Sequence, residues 1–303
     1  MPRGKRHVTS EAFASVIKAY LASPKFEGLA WETQRNYHRY LILAEHPDCL
    51  GSVPVDAMRP ALVQAFLDGL SDRPGAQVVA QVALKALEKW AVVRDLLPRS
   101  ITMGTEVVGS DGGHEPWSDE FVAIAERKTA PHLSHAITLA ANTGQRGSDL
   151  VKMRWTDIEA VSGRPGINVV QRKTKLKIWV PFTQALLEVT EGWERQPGMI
   201  LRKYDGLPFD NRQQLTDAWL REREKPEMEP LRHLHLHGLR GTAVVRLCQA
   251  GASVREITSM VGMSQAMVER YCRFSVQREN ALAAVERLDG RHAQANVLKF
   301  NKP

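Results

Sequence analysis

The chain has 303 residues, 43% hydrophobic and 25% charged, with 21 glycines and 16 prolines. This ordinary globular composition suits about two domains and excludes collagen-like, low-complexity and wholly disordered chains. No stretch approaches the roughly 18 consecutive apolar residues that span a bilayer, and the basic N-terminus, MPRGKRHVTSEAF, lacks the apolar core of a secretory signal. Cys49, Cys248 and Cys272 are an odd, sparse set without metal-type spacing, which argues against a disulfide framework or a zinc finger and fits a reducing cytoplasm. The formal charge is +7 and the pI about 9.4, a prior for a polyanionic partner such as nucleic acid.

Ser10 is placed to cap a first helix that carries Phe13, Val16, Ile17, Tyr20 and Leu21 on one face. Trp31, Tyr37, Tyr40, Leu41 and Leu43 fit a second helix, closed before Pro47. A third starts near Pro60 and carries Leu62, Val63, Phe66, Leu67 and Leu70; Gly69 and the SDRPG stretch then turn the chain. A fourth runs from about Gln77 to Leu97 and ends at Pro98. These helices form a first domain over residues 8–98, with Trp31, Tyr37, Tyr40 and Trp90 expected in its core. Residues 99–116 are glycine-containing and aperiodic, and read as a linker.

The second domain is expected over residues 117–290, with a tail at 291–303. Ser118 and Asp119 open a helix through Phe121, Ile124 and Ala125, and a second apolar helix spans His132 to Ala141 before the Asn142–Gly144 stop. Short strands are expected at Met153–Ile158, Ile167–Gln171 and Leu176–Val180, the last two joined by the basic run Arg172–Lys175. Helices follow at Gln184–Trp193 and Asn211–Arg223, and His237 to Phe274 is helical in three pieces broken at Gly251 and Gly262. Ser253 with Glu256 has capping-box spacing.

Four separated pieces carry chemistry: TGQRGSDL at Thr143–Leu150, the basic turn around Lys173, HGLR at His237–Arg240, and Tyr271 within MVERYCRF. In this order they resemble the tyrosine recombinase (phage integrase) family. Arg146 and Asp149 fill the key places of its first box. QRKTKLKIWVP at Gln171–Pro181 is similar to the strand-turn-strand that holds its lysine, here Lys173. His237 and Arg240 match H-x-x-R, and Tyr271 falls on the nucleophile. The resemblance implies a mainly α fold: a helical (SAM-like) core-binding domain, then a mixed α/β, mostly helical catalytic domain with a small antiparallel sheet. It implies strand cutting and rejoining through a 3′-phosphotyrosyl link, for integration or excision of a mobile element. Neither nucleotide cofactor nor metal is implied. The implied partners are double-stranded DNA, a homo-tetramer formed on it, and accessory DNA-bending or directionality proteins.

The residue types suit that chemistry. The pentacoordinate transition state of a phosphodiester puts extra charge on the non-bridging oxygens, and two always-charged guanidiniums, Arg146 and Arg240, can hold them bidentately. A phenol is a poor nucleophile below its pKa of about 10, so His237 is a candidate proton handler. Lys173 can protonate the leaving 5′ oxygen, with Lys175 the alternative on the same turn. Asp149 is expected to orient His237 or Arg240. Arg172 and Lys175, and in the first domain Arg35, Arg39, Lys85 and Lys89, are candidate phosphate contacts, with a solvated face the alternative.

The pattern departs from the family in one place. Met263 in VGMS, Val261–Ser264, stands where the family usually has His or Trp, and the gap to Tyr271 is about one residue short. Methionine gives no strong hydrogen bond to phosphate; it can pack as an apolar brace, with Ser264 a substitute donor. A catalytically silent relative acting as a DNA-binding regulator is therefore the alternative, with Gly251–Tyr271 reading as a helix-turn-helix; a nicking and resealing enzyme of topoisomerase type shares the chemistry. His233, His235 and His237 alternate, but no Cys or carboxylate at matching spacing supports a metal. Pro2–His7 is in position to touch a groove, and a helix over Gln277–Leu288, with Ala281, Leu282, Ala284, Val285 and Leu288 on one face, is in position to dock on a neighbouring protomer or fold back.

Overall fold

The computed structural model describes residues 11–108 and 113–275, and residues 281, 282, 285, 286 and 288 further on. Ser10, the Pro2–His7 segment, residue Ala284 and the tail 291–303 lie outside the described residues. The chain folds as two compact units, Met1–Gly112 and Gly113–Pro303.

The first unit is helical: α1 (Phe13–Leu21), α2 (Pro24–Glu27), α3 (Trp31–Glu45), α4 (Pro60–Asp68) and α5 (Pro74–Val92). Residues three and four apart share a helix face. So Phe13, Ile17 and Tyr20 of α1, Val63 and Leu67 of α4, and Leu84, Leu87 and Ala91 of α5 are buried in one core with Leu41 and Met58. Each of the larger aliphatic side chains and Phe13 contributes about 1.5–3 kcal/mol.

Helix α5 stops at Val92, short of the expected Leu97, and Asp95 takes a φ of +55°. Leu97 and Ile101 then turn back into the core. Glu88 holds that return: its Oε1 accepts from Ser100 Oγ at 2.7 Å, and its Oε2 from the Ile101 and Thr102 amides at 2.8 and 2.6 Å. Trp31 corrects a second expectation. Trp90 is buried and Tyr37 and Tyr40 pack against the core, but Trp31 is 67% exposed, at the start of α3 before the helix's buried face. The Arg35 guanidinium lies 5.0 Å from its ring centroid. Arg35, Arg39, Lys85 and Lys89 are all exposed.

The second unit is mostly helical around a small sheet: α6 (Asp119–Lys128), α7 (Pro131–Thr143), α8 (Gly147–Leu150), β1 (Ile158–Val161), β2 (Arg164–Val170), β3 (Lys177–Pro181), α9 (Gln184–Glu191), α10 (Arg212–Glu222), α11 (Gly238–Gln249), α12 (Val254–Val261) and α13 (Gln265–Ser275). The strands are antiparallel in the order β1-β2-β3, with Ile158 opposite Ile167 and Asn168 opposite Trp179. Ser162 and Gly163, both at positive φ, make the β1–β2 turn, the geometry that matches strand twist in a two-residue hairpin. The expected strand Met153–Ile158 is displaced. Trp155–Asp157 form a single helical turn, with the Arg154 amide donating to Asp157 Oδ2 at 3.2 Å, and pairing begins only at Ile158.

Side-chain caps start α6, α9, α10 and α12 at Ser118, Thr183, Asn211 and Ser253. The Ser253–Glu256 capping box forms. Ile137, Leu139, Val151, Ile167, Val180, Leu186, Leu215, Trp219 and Leu239 are buried in one core. A smaller cluster joins α11, α12 and α13 through Val244, Ile257, Val261, Met263 and Val268. Cys248 and Cys272 are disulfide-bonded, with Cα atoms 5.8 Å apart. The odd, sparse cysteine set argues against disulfides, and this bond corrects that expectation: the packing of α11 on α13 brings together two cysteines 24 residues apart. The fold class is that expected, mainly α with a small antiparallel sheet. Among the described residues no helix is long and apolar enough to cross a membrane. Within the expected segment Gln277–Leu288, residues Ala281, Leu282, Val285 and Leu288 have helical backbone and exposed side chains.

Candidate active site

Helix α7 ends at Gly144, whose φ of +63° lets the chain reverse. A Cβ there would stand 3.0–3.1 Å from Val261 and Ala243, so glycine is required by conformation and by space. Two residues on, Arg146 occupies the cap position of α8, half-buried. Its Nη1 donates to Gln171 Oε1 at 3.0 Å.

Arg240 rises from the first turn of α11 and is 3% exposed. It donates through Nη1 to the Gly144 carbonyl and through Nη2 to the Gly262 carbonyl, the latter at 3.3 Å. One guanidinium thus ties together the turn before Arg146 and the turn before Met263. Burial first, then the nearby Arg146 cation, lowers its pKa to about 10, while Asp149 and Tyr271 act in the opposite sense. It remains charged at neutral pH.

His237 precedes α11, with part of its side chain reaching solvent. Burial of the rest, followed by His114, Arg240, Arg212 and Arg146, lowers its pKa to about 4. At neutral pH it is an uncharged imidazole whose ring nitrogen can accept a hydrogen bond. Tyr271 lies on α13, half-buried. Its ring packs against Gly241, where a Cβ would fall 2.7 Å from Cε1, and its hydroxyl lies 3.9 Å from the Cβ position of Gly113. Four side chains from separate stretches therefore share one electrostatic neighbourhood: Arg146, His237, Arg240 and Tyr271.

Lys173 and Lys175 sit exposed on the β2–β3 turn. The Lys175 amide closes that turn onto the Gln171 carbonyl at 2.8 Å, with Lys175 itself at a φ of +60°. Asp149 is 3% exposed. Its Oδ1 accepts from the Arg172 amide at 3.0 Å and from Ser148 Oγ at 3.3 Å. Its hydrogen bonds go to the lysine-bearing turn and to Ser148, and it acts on Arg240 through charge. Its Oδ2 is buried without a hydrogen-bond partner among the described residues. Met263 is buried in the α11–α13 cluster, and Ser264 is exposed just before α13.

Three residues of the site were not singled out in the sequence. Gln171 follows β2 and is wholly buried, and nothing in its spacing marks it apart from the neighbouring basic run. His114 falls in the stretch read as linker, yet its ring centroid lies 5.4 Å from that of His237 and 4.6 Å from that of His235. Arg212 opens α10 and acts on His237 through its charge.

Solved structures share this fold. A lambda integrase tetramer bound to a Holliday junction is 19% identical, covering 87% of this chain and 78% of that one at a TM-score of 0.71. The Tn1549 transposon integrase in complex with a circular intermediate DNA is 16% identical, covering 92% and 100% at 0.67. The XerH site-specific recombinase bound to a palindromic substrate in a post-cleavage complex is 14% identical, covering 90% and 85% at 0.65. No curated protein matches the chain. Residues 118–278, more than half of the chain, match the phage integrase family, and the chain belongs to that family.

Proposed function

We propose that the chain is a site-specific DNA strand transferase of the tyrosine recombinase type. The observation that supports this most is the proximity of two guanidiniums, Arg146 and Arg240, beside a phenol and a neutral imidazole. Like charges held together in a partly buried site are stabilised by an anion between them, and a phosphodiester is such an anion.

In the proposed reaction the Tyr271 oxygen attacks the scissile phosphorus as His237 takes the phenolic proton. The bond from phosphorus to the 5′ oxygen breaks, and Lys173 gives that oxygen a proton. Arg146 and Arg240 neutralise the non-bridging oxygens; losing one such preorganised donor commonly costs about 3 kcal/mol of barrier. The products are a 3′-phosphotyrosyl link and a free 5′-hydroxyl, which reverses the step on a partner strand. The covalent link conserves the bond energy.

The helical domain expected over residues 8–98 is proposed as a second DNA-binding domain, with Arg35, Arg39, Lys85 and Lys89 on phosphates, ahead of the catalytic domain expected over 117–290. Arg172 and Lys175 are proposed contacts beside the catalytic turn. Binding then weakens steeply with salt. The exposed Leu282, Val285 and Leu288 support docking between protomers in a tetramer on DNA, acting in the cytoplasm to integrate or excise a mobile element.

The test is covalent capture. DNA sites are selected from a random-sequence pool with the Tyr271→Phe chain, then rebuilt with a nick that traps the cleaved strand. The native chain forms a protein–DNA adduct and Tyr271→Phe does not. Burial of Met263 away from any donor role favours the second reading, a silent DNA-binding relative; tight site-specific binding with no adduct from the native chain would establish that instead.

A further inference from the structure

A cavity of about 380 Å³ opens beside His237, the one wall residue that the proposed reaction uses. Arg212, His114, His235, His237, Gln145 and Trp219 are among its walls, and none of the lining residues is Asp or Glu. His114 is held there because its segment is pinned. The Trp117 amide donates to Thr242 Oγ1 at 2.8 Å, and Trp117 Nε1 donates to the His235 carbonyl at 2.9 Å. Arg212 reaches the cavity by lying over Gly147, where a Cβ would meet its Cγ at 3.0 Å.

Arg146 is engaged by Gln171, and Arg240 by the Gly144 and Gly262 carbonyls. Arg212 differs from both: among the described residues its guanidinium has no hydrogen-bond or ion-pair partner. The cavity therefore presents a solvent-exposed planar fork of donors beside three exposed imidazoles, with no Asp or Glu among the lining residues. Among the described residues no group of three His, Cys, Asp or Glu is placed to hold a metal ion. An anion with several acceptor oxygens satisfies such a wall, and guanidinium forks match phosphate in that way.

We propose that this cavity is a second oxyanion subsite, in which Arg212 with His114 and His235 holds a backbone phosphate next to the scissile one in the strand being cut. The assignment of that particular phosphate rests on the strand-transfer reading; the affinity of the cavity for phosphate does not. The subsite shares His237 with the reaction centre, so occupying it also fixes the strand relative to the attacking phenol.

Electrostatics support the same inference. The charges facing His237 are His114 from the entering segment, Arg240 of α11, Arg212 of α10 and Arg146 before α8. Those facing His235 are His114 and Arg223, and burial with these neighbours lowers its pKa. A bound phosphate relieves the repulsion and raises the imidazole pKa values, so binding takes up protons and tightens as the pH falls below 7.

The experiment has two arms, both on the full chain. In the first, inorganic phosphate is titrated while the histidine ring resonances are followed. Saturable shifts of His114, His235 and His237 are expected, with affinity at least tenfold weaker in Arg212→Gln, which keeps the stem over Gly147. Shifts that are absent, or equal in the variant, overturn the subsite. In the second, a neutral methylphosphonate replaces each phosphate in turn near the cleavage point of the nicked substrate. At the position next to the scissile phosphate it should slow the native chain about tenfold and slow Arg212→Gln no further. Equal slowing of both proteins at every position overturns the DNA assignment. A native chain that forms no adduct on any substrate refutes strand transfer, while the first arm still decides whether the cavity binds phosphate.

Discussion

Arg146 Nη1 and Gln171 Oε1 are 3.0 Å apart, and this contact belongs to a closed set. The same Gln171 oxygen accepts from Thr174 Oγ1 at 2.9 Å, and its amide nitrogen donates to Gln145 Oε1 and to the Val261 carbonyl, each at 2.9 Å. Both donors and both acceptor positions of the amide are used. One buried side chain thereby registers Arg146, the Lys173 turn and the end of α12 against one another. Gln171→Leu should cost about 1–3 kcal/mol for the buried groups left unpaired. It should also slow adduct formation at saturating DNA by about 100-fold through misplacement of Arg146. Thermal melting and single-turnover capture measure the two effects separately, and an unchanged rate in the folded variant would reduce Gln171 to a packing role.

Gly241 gives the Tyr271 ring its seat. A Cβ at this position would stand 2.7 Å from Tyr271 Cε1 and 3.0 Å from Pro116 Cγ. Gly241→Ala should keep helix α11, since alanine favours helix more than glycine, and should push the phenol out of line. More than tenfold slower capture is expected, with far-ultraviolet dichroism unaltered. Native-rate cleavage by this variant would place the reacting tyrosine conformation elsewhere.

Met263 is 8% exposed among Val244, Val261 and Val268. Met263→Ala should destabilise the catalytic unit by about 2–5 kcal/mol through lost burial and a residual cavity. Met263→Leu, near in volume, should cost under about 1.5 kcal/mol and leave the capture rate within twofold. A large rate loss in Met263→Leu would show that the thioether acts on the substrate. Faster capture by Met263→His would show that a hydrogen-bond donor is what this position lacks.

Glu88 links α5 to the chain that returns at Ser100–Thr102. Burial raises its pKa, but hydrogen bonds from Ser100, Thr102 and the Ile101 amide outweigh burial and hold it below the usual carboxylate value. The stabilisation is therefore present above the unfolded pKa of about 4.3 and is lost as the pH falls through the lower folded value. Glu88→Ala should destabilise the first unit by about 2–3 kcal/mol at pH 7, with the difference shrinking toward pH 3 in urea titrations.

His237 shows the opposite protonation preference to an ion-paired histidine. Its folded pKa is about 4, against about 6.5 in the unfolded chain. Between these values the unfolded state binds a proton that the folded state does not, so stability declines on acidification from about 6.5 to 4 and levels off below. His237→Gln should flatten that part of the pH–stability curve, read from urea midpoints. The same low value keeps the imidazole neutral at pH 7, so capture by the native chain should not require a pH above 7 to deprotonate it.

The amino-acid sequence by itself determined where most helices lie, because apolar residues three and four apart, proline starts and glycine stops are local signals. It also determined which residue types were available for phosphate chemistry: Arg146, Lys173, His237, Arg240 and Tyr271 stand in a recognisable order. Tertiary structure alone decided what surrounds them. The Arg240 guanidinium reaches a carbonyl 96 residues away, and Arg146 a side chain 25 residues away. Trp31 left the core, Cys248 met Cys272, and Asp149 turned to the Arg172 amide for the same kind of reason. A hydrogen bond or a buried charge depends on distances of a few ångströms, and those are set by how helices and strands pack across long stretches of chain rather than by spacing along it.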